Sequence, residues 1–167
     1  MIVFLIGFMT AGKTTLGKSL AQALDWPFVD LDVLLEEREG RTITEIFEQA
    51  GEAYFRAQER ISLESLTEHE GPLIAACGGG LPCFGDNMER LNELGTTLYF
   101  HLPSEELIRR IRKDRADRPL VKSLSTEELK TFVNDLLAKR EPYYLQAQFV
   151  LEPDQLSVEK IRELIFA

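Results

Sequence analysis

FLIGFMTAGKTTLG, residues 4–17, changes character twice. An apolar run stops at Gly7, four residues follow, and Gly12, Lys13, Thr14 and Thr15 then open an amphipathic segment that reaches Leu24. The apolar run reads as a strand and the amphipathic segment as a helix, so the turn between them is built to hold something. Residues 7–14, GFMTAGKT, satisfy the pattern G-x-x-x-x-G-K-[ST] in full.

Each fixed position of that pattern has a physical reason. Gly7 and Gly12 let the backbone turn its N–H groups inward, toward phosphate oxygens. Thr10, Ala11 and Thr15 belong to the same cradle of backbone donors. The helix that begins near Lys13 adds its positive N-terminal end. Lys13 sets a point charge at the β- and γ-phosphates, and the Thr14 hydroxyl is a ligand for Mg²⁺. The strand-loop-helix context separates this from an ordinary glycine turn, and the loop is read as a nucleoside triphosphate site.

The bulk of the chain suits such a site. At 167 residues it has the length of one domain, able to bury roughly 70% of its unfolded surface without disulfide or metal staples. With 44% hydrophobic and 28% charged residues it is globular in composition, which excludes collagen, long coiled coil and disorder. A net charge of −9 argues against a nucleic-acid or anionic-lipid partner. Cys77 and Cys83 read as free thiols, and His69 and His101 lack metal-ligand spacing. The start MIVFLIGFM has no basic region or cleavage site, and no apolar run reaches the ~20 residues of a membrane span, so a cytoplasmic protein is expected.

Short apolar runs alternate with helical signals along the chain. Ile2–Ile6, Pro27–Leu31, Pro72–Ala76, Thr97–Leu102 and Gln148–Leu151 read as strands, several of them apolar throughout, as in a parallel sheet covered on both faces. Thr42-x-x-Glu45 and Ser125-x-x-Glu128 are capping boxes, and Ser104 before Glu105 and Glu106 reads as an N-cap. The tail places Val158, Ile161, Leu164 and Ile165 on one helical face. The expected order is β-α-β-α-α-β-α-β-α-α-α-β-α, an α/β sandwich. Residues 36–52 and 112–123 read as the less regular regions.

A triphosphate site needs a carboxylate to complete its magnesium shell. The second strand ends FVDLD, and ligands lie beyond the carboxyl ends of strands in such sheets. Asp30 is the metal candidate; Asp32 faces the same side and reads as a ligand for an acceptor hydroxyl, as the N-cap of a helix over 33–39, or as both.

Four further stretches, GEAYFRAQE (51–59), CGGG (77–80), DRPLV (117–121) and LLAKREPYY (136–144), follow in order. With the phosphate loop and DLD they resemble the shikimate kinases over essentially the whole chain. The resemblance implies a P-loop, nucleoside-monophosphate-kinase-like fold: a three-layer sandwich with five parallel strands ordered 2-3-1-4-5. It implies one domain over 1–167, with an acceptor-binding subregion at about 32–60 and a lid at about 111–124. The implied reaction moves the γ-phosphate of ATP to the 3-hydroxyl of shikimate, in aromatic amino-acid biosynthesis, with Mg²⁺ as cofactor. Shikimate and Mg-ATP are the implied partners, and a monomer is expected.

The resemblance also implies roles. Arg56 and Arg140 match the family's carboxylate-binding arginines, and a guanidinium fork suits a planar anion. Glu59, one turn after Arg56, could hold that fork. Gly79 and Gly80 match positions that touch the acceptor, and Asp32 one that binds its hydroxyls, as general base or by orientation. Arg118 matches the lid arginine that covers the transferring phosphoryl group, and Arg110 a position that packs on adenine. Lys13, Asp32 and Arg118 are thus the expected catalytic residues. Thr10 departs from the pattern, standing where the family commonly has glycine or another small residue, and the segment between Arg110 and Arg118 runs about one residue longer. Another P-loop kinase, for gluconate or a nucleoside monophosphate, and a non-catalytic nucleotide-binding module are the alternatives.

Overall fold

The computed structural model describes residues 1–114 and 121–167. Five strands pair in parallel in the order β2-β3-β1-β4-β5: β1 is Ile2–Ile6, β2 Phe28–Asp30, β3 Leu73–Ala76, β4 Gly95–Phe100 and β5 Phe149–Leu151. Strand β1 is central, and all five of its residues are buried, so both faces of the sheet are covered. The covering helices are α1 Lys13–Leu24, α2 Leu31–Glu39, α3 Ile43–Ser65, α4 Asn87–Leu94, α5 Ser104–Lys113, α6 Thr126–Tyr144 and α7 Val158–Ile165.

Helix α1 lies close against the sheet because Gly17 faces it. A Cβ at Gly17 would come within 2.7 Å of the Phe28 ring and 2.8 Å of a Leu5 methyl, so only a bare Cα fits. One hydrophobic core unites β1, β3 and β4 with α1, α5, α6 and α7, through residues such as Phe4, Leu20, Ile111, Val133 and Ile161. A second, smaller cluster of Leu35, Ile46 and Phe55, with Ile43 against it, joins α2 to α3. Residues 36–52, read as irregular, are largely helical: α2 ends at Gly40, α3 starts after Thr42, and the break falls at Gly51 (φ 82°). That left-handed residue re-aims the chain, and the second half of α3 carries Arg56 and Glu59.

Both expected capping boxes form. Thr42 and Glu45 exchange bonds of 2.7 and 3.2 Å, and Ser125 and Glu128 bonds of 2.9 and 3.2 Å. Two helix starts and one helix count depart from the simplest reading of the sequence. Asp30, not Asp32, caps α2, because its carboxylate accepts from the N–H groups of Asp32 (3.0 Å) and Val33 (3.4 Å). Ser104 is the first residue of α5 rather than its cap; Pro103 precedes the helix and no side chain caps it. Between β4 and β5 the described residues hold two helices where the expected order has three; α6 runs unbroken and takes Pro142 into its last turn.

Candidate active site

The loop between β1 and α1 turns through three positive-φ residues, Gly7 (146°), Thr10 (64°) and Gly12 (90°). Unlike α3 and α6, α1 has no side-chain cap and no acidic residue in its first turn, so its leading N–H groups stand ready for an anion. Lys13 folds back over the loop, donating to the carbonyls of Gly7 (2.7 Å) and Phe8 (2.8 Å). Desolvation pulls its ammonium down to about 8, against the attraction of Asp32, Cys77 and Asp30. Thr10 holds a conformation that β-branched residues avoid, and its hydroxyl is buried without a hydrogen-bond partner. Arg110, from α5, fastens the loop by donating to the Thr10 carbonyl at 3.0 Å while Glu106 holds its Nε at 2.8 Å.

Asp30, at the end of β2, accepts from the Thr14 hydroxyl at 2.6 Å through one oxygen and caps α2 with the other. A hydroxyl and a carboxylate side by side at the edge of the phosphate loop are the hard oxygen donors that Mg²⁺ takes. A cavity of about 390 Å³ opens here, lined by residues 9–15, Asp30, Asp32, residues 77–79, Arg110 and Asp114.

The run Gly78-Gly79-Gly80 follows β3 and forms the opposite wall. None of the three has a positive φ, so conformational freedom does not explain them. Space does. A Cβ on Gly78 would stand 2.6 Å from Asp32 Oδ1, one on Gly79 3.0 Å from Arg140 Nη1, and one on Gly80 2.5 Å from Arg56 Nη1. Three successive residues thus each leave room for one charged side chain, drawn from α2, α3 and α6. Gly79 also abuts the phosphate loop, its missing Cβ 3.5 Å from Gly7 O and Met9 N.

The charges around this run perturb one another. Burial pushes the Asp32 carboxyl up to about 6, with Asp30 adding to the rise and Lys13 opposing it. Glu59 is 5% exposed and accepts from Arg56 Nη1 at 2.7 Å; burial drives it up to about 7 against the pull of Arg56. Glu52 approaches the other side of the Arg56 fork at 3.5 Å, while Arg140 forms no ion pair with any described residue. Tyr144, one turn beyond Arg140 on α6, is fully buried and donates to the Gly79 carbonyl at 2.5 Å. Burial raises the pKa of this phenol, keeping it a donor.

The structure therefore gathers Lys13, Thr14, Asp30, Asp32, Arg56, Gly79, Gly80, Arg110 and Arg140 into one region. Arg118, the expected lid residue, lies outside the described residues. Arg112 points elsewhere, its Nη2 on the Thr126 hydroxyl at 2.6 Å. Cys77 and Cys83 are free thiols, both raised by burial. His69 sits by the Pro72 carbonyl, and His101 between Glu141 and Glu152. Gly78, Tyr144 and Glu52 lie inside the quoted stretches 77–80, 136–144 and 51–59, but their roles escaped the sequence reading because each depends on a partner outside its own stretch or on a neighbouring helix turn.

Comparison with known proteins agrees with this geometry. A family model described as shikimate kinase matches residues 9–166. A shikimate kinase of Bacteroides thetaiotaomicron is 42% identical over 171 residues, spanning 98% of this chain and 97% of its own length. The crystal structure of a shikimate kinase from the same species superposes with a TM-score of 0.92 at 40% identity, covering 100% of this chain and 99% of that one. The shikimate kinase of Acinetobacter baumannii in complex with shikimate superposes with a TM-score of 0.85 at 36% identity, covering 99% and 92%.

Proposed function

This chain belongs to the shikimate kinase family, and we infer that it transfers the γ-phosphate of ATP to the 3-hydroxyl of shikimate. The acceptor oxygen bonds to phosphorus as the bond to the β-phosphate oxygen breaks; ADP leaves, and the hydroxyl proton passes to a base. The observation that carries the reading is the glycine run with Asp32, Arg140 and Arg56 seated against its three members. Two guanidinium groups beside a carboxylate suit a ring bearing one carboxylate and several hydroxyls.

The phosphate loop, the N-terminus of α1 and Lys13 bind the triphosphate of ATP, and Arg110 packs beside the nucleotide. Thr14 and Asp30 would hold Mg²⁺, which supplies charge neutralisation on the phosphates when bound. Arg56 and Arg140 clamp the acceptor carboxylate while Gly79 and Gly80 line its seat. Asp32 orients the reacting hydroxyl, and a carboxylate near 6 is ionised at neutral pH and able to take its proton. Positioning and charge neutralisation account for most of the rate, since the phosphoryl transition state is loose. Arg118 is assigned the transferring phosphoryl group by family resemblance.

The whole chain acts as one domain, with the α2–α3 pair and its own small apolar cluster as the acceptor-binding subregion and residues 111–124 as the lid. It works as a cytoplasmic monomer without nucleic-acid or membrane partners. The net charge of −9 supports the absence of a nucleic-acid or anionic-lipid partner, and among the described residues no helix is long and apolar enough to cross a membrane.

The test is ADP release with Mg-ATP and, in turn, shikimate, gluconate, quinate and nucleoside monophosphates. Turnover with shikimate alone is expected. Turnover with another acceptor and none with shikimate would overturn the reading, and silence with all of them despite ATP binding would favour a binding module.

A further inference from the structure

Arg56 is held by more than carboxylates. Phe84, four residues beyond Gly80, lies across its guanidinium, with Arg56 Cζ 3.8 Å from the ring centroid. Phe55 flanks the same group at 5.0 Å, and Glu59 occupies Nη1. The Phe84 ring belongs to neither hydrophobic cluster and is 37% exposed, so packing of the core does not account for it.

The loop that carries Phe84 is anchored to the helix that carries Arg56. Phe84 ends the short 3₁₀ turn Leu81–Cys83, and Gly85 (φ 55°) turns the chain sharply after it. Arg60, one turn after Arg56 on α3, then donates from Nη1 to Asp86 (2.6 Å) and Asn87 (2.8 Å). Asn87 closes the loop on itself by donating to the Leu81 carbonyl at 2.9 Å. The ring is therefore fixed relative to α3 independently of its contact with Arg56.

We propose that Phe84 is a positioning residue for the acceptor: an aromatic plate that sets the plane of the Arg56 guanidinium for paired hydrogen bonding to a carboxylate. The proposal rests on the reading of Arg56 as a carboxylate clamp. Bidentate recognition needs the fork and the carboxylate in one plane, and a long arginine side chain does not fix that plane by itself. A ring face satisfies the cation without consuming an N–H, and it removes water from one side of the ion pair. This leaves the in-plane donors that Glu59 and Glu52 do not hold for the acceptor. Arg56 Nε, buried and without a hydrogen-bond partner in the free protein, is one of them.

Steady-state kinetics of Phe84→Ala, Phe84→Leu, Phe84→Tyr and Arg56→Ala test this. Phe84→Ala is expected to raise the KM for shikimate on the order of tenfold, with kcat within about twofold and the KM for ATP unchanged. Phe84→Leu, which keeps apolar bulk without a ring face, should follow alanine, and Phe84→Tyr should restore the wild-type value. The proposal is overturned if Phe84→Ala leaves the shikimate KM alone, if leucine restores it, or if the ATP KM rises in parallel. Arg56→Ala separates the two levels of the argument. If it raises the shikimate KM while Phe84→Ala does not, the aromatic plate alone is wrong; if it too has no effect, the carboxylate reading fails and takes the plate with it.

Discussion

In the proposed function, the two ends of the site are built on opposite principles. At the nucleotide end, the backbone supplies most of the donors and eight consecutive residues hold nearly everything; Asp30 and Arg110 come from other elements. At the acceptor end, side chains do the recognition. Asp32, Arg56 and Arg140 arrive from three helices, and the local chain contributes only the space that three missing Cβ atoms leave. A backbone site compresses into a motif because neighbouring peptide groups are its parts. A side-chain site scatters along the sequence, and its one contiguous trace is the glycine run that makes room for it.

If the ends are separable, substitutions should divide their effects cleanly. Lys13→Ala is expected to lower kcat on the order of 10³-fold at saturating shikimate, the usual loss on removing a preorganised charge from a phosphoryl site. Arg56→Ala should instead raise the shikimate KM about a hundredfold and leave the KM for ATP near its wild-type value. Steady-state kinetics with each substrate varied in turn would break the comparison if both variants moved both constants.

A subtler probe is Asp32, whose carboxyl is held at about 6 against an ordinary 3.8. The folded chain therefore binds that proton more tightly than the unfolded chain. The resulting stability is complete below 3.8 and lost as pH rises through about 6. Asp32→Asn escapes this loss, so its stability relative to wild type should climb by about 1.4 kcal/mol between pH 5 and pH 8, as read by urea denaturation. A flat difference would mean that the acceptor end does not strain its own carboxylate.

Tyr144→Phe removes the one hydrogen bond that ties α6 to the glycine run. Leaving the Gly79 carbonyl without that donor should cost about 1 kcal/mol of stability and raise the shikimate KM roughly fivefold, with ATP unaffected. The smallest effect belongs to the nucleotide end. Thr10→Gly relieves a left-handed β-branched residue and removes a buried unpartnered hydroxyl, offset in part by the freer unfolded chain. A net gain of about 1 kcal/mol, seen as a melting temperature higher by about 3 °C, is expected.

The same contrast explains what could be read from the residues alone. All five strands, both capping boxes and the phosphate loop are local patterns, and the structure contains each of them. The cap of α2 stayed open in the sequence because Asp30 and Asp32 are both good caps two residues apart, and only the helix start at Leu31 decides between them. Arg56 and Arg140 were legible only through family resemblance, since isolated arginines on helices otherwise read as surface ion pairs. Tyr144, Phe84 and Gly17 were not legible, because their roles depend on partners 11 to 65 residues away in sequence.

The most direct test of this division is calorimetric titration of Gly80→Ala with shikimate and, separately, with ADP. The added methyl meets the end of the Arg56 side chain rather than backbone, so the chain should fold and the guanidinium should be pushed aside. The account predicts shikimate affinity lower by about a hundredfold and ADP affinity within about twofold of wild type. Equal losses for both ligands, or wild-type affinity for shikimate, would contradict it.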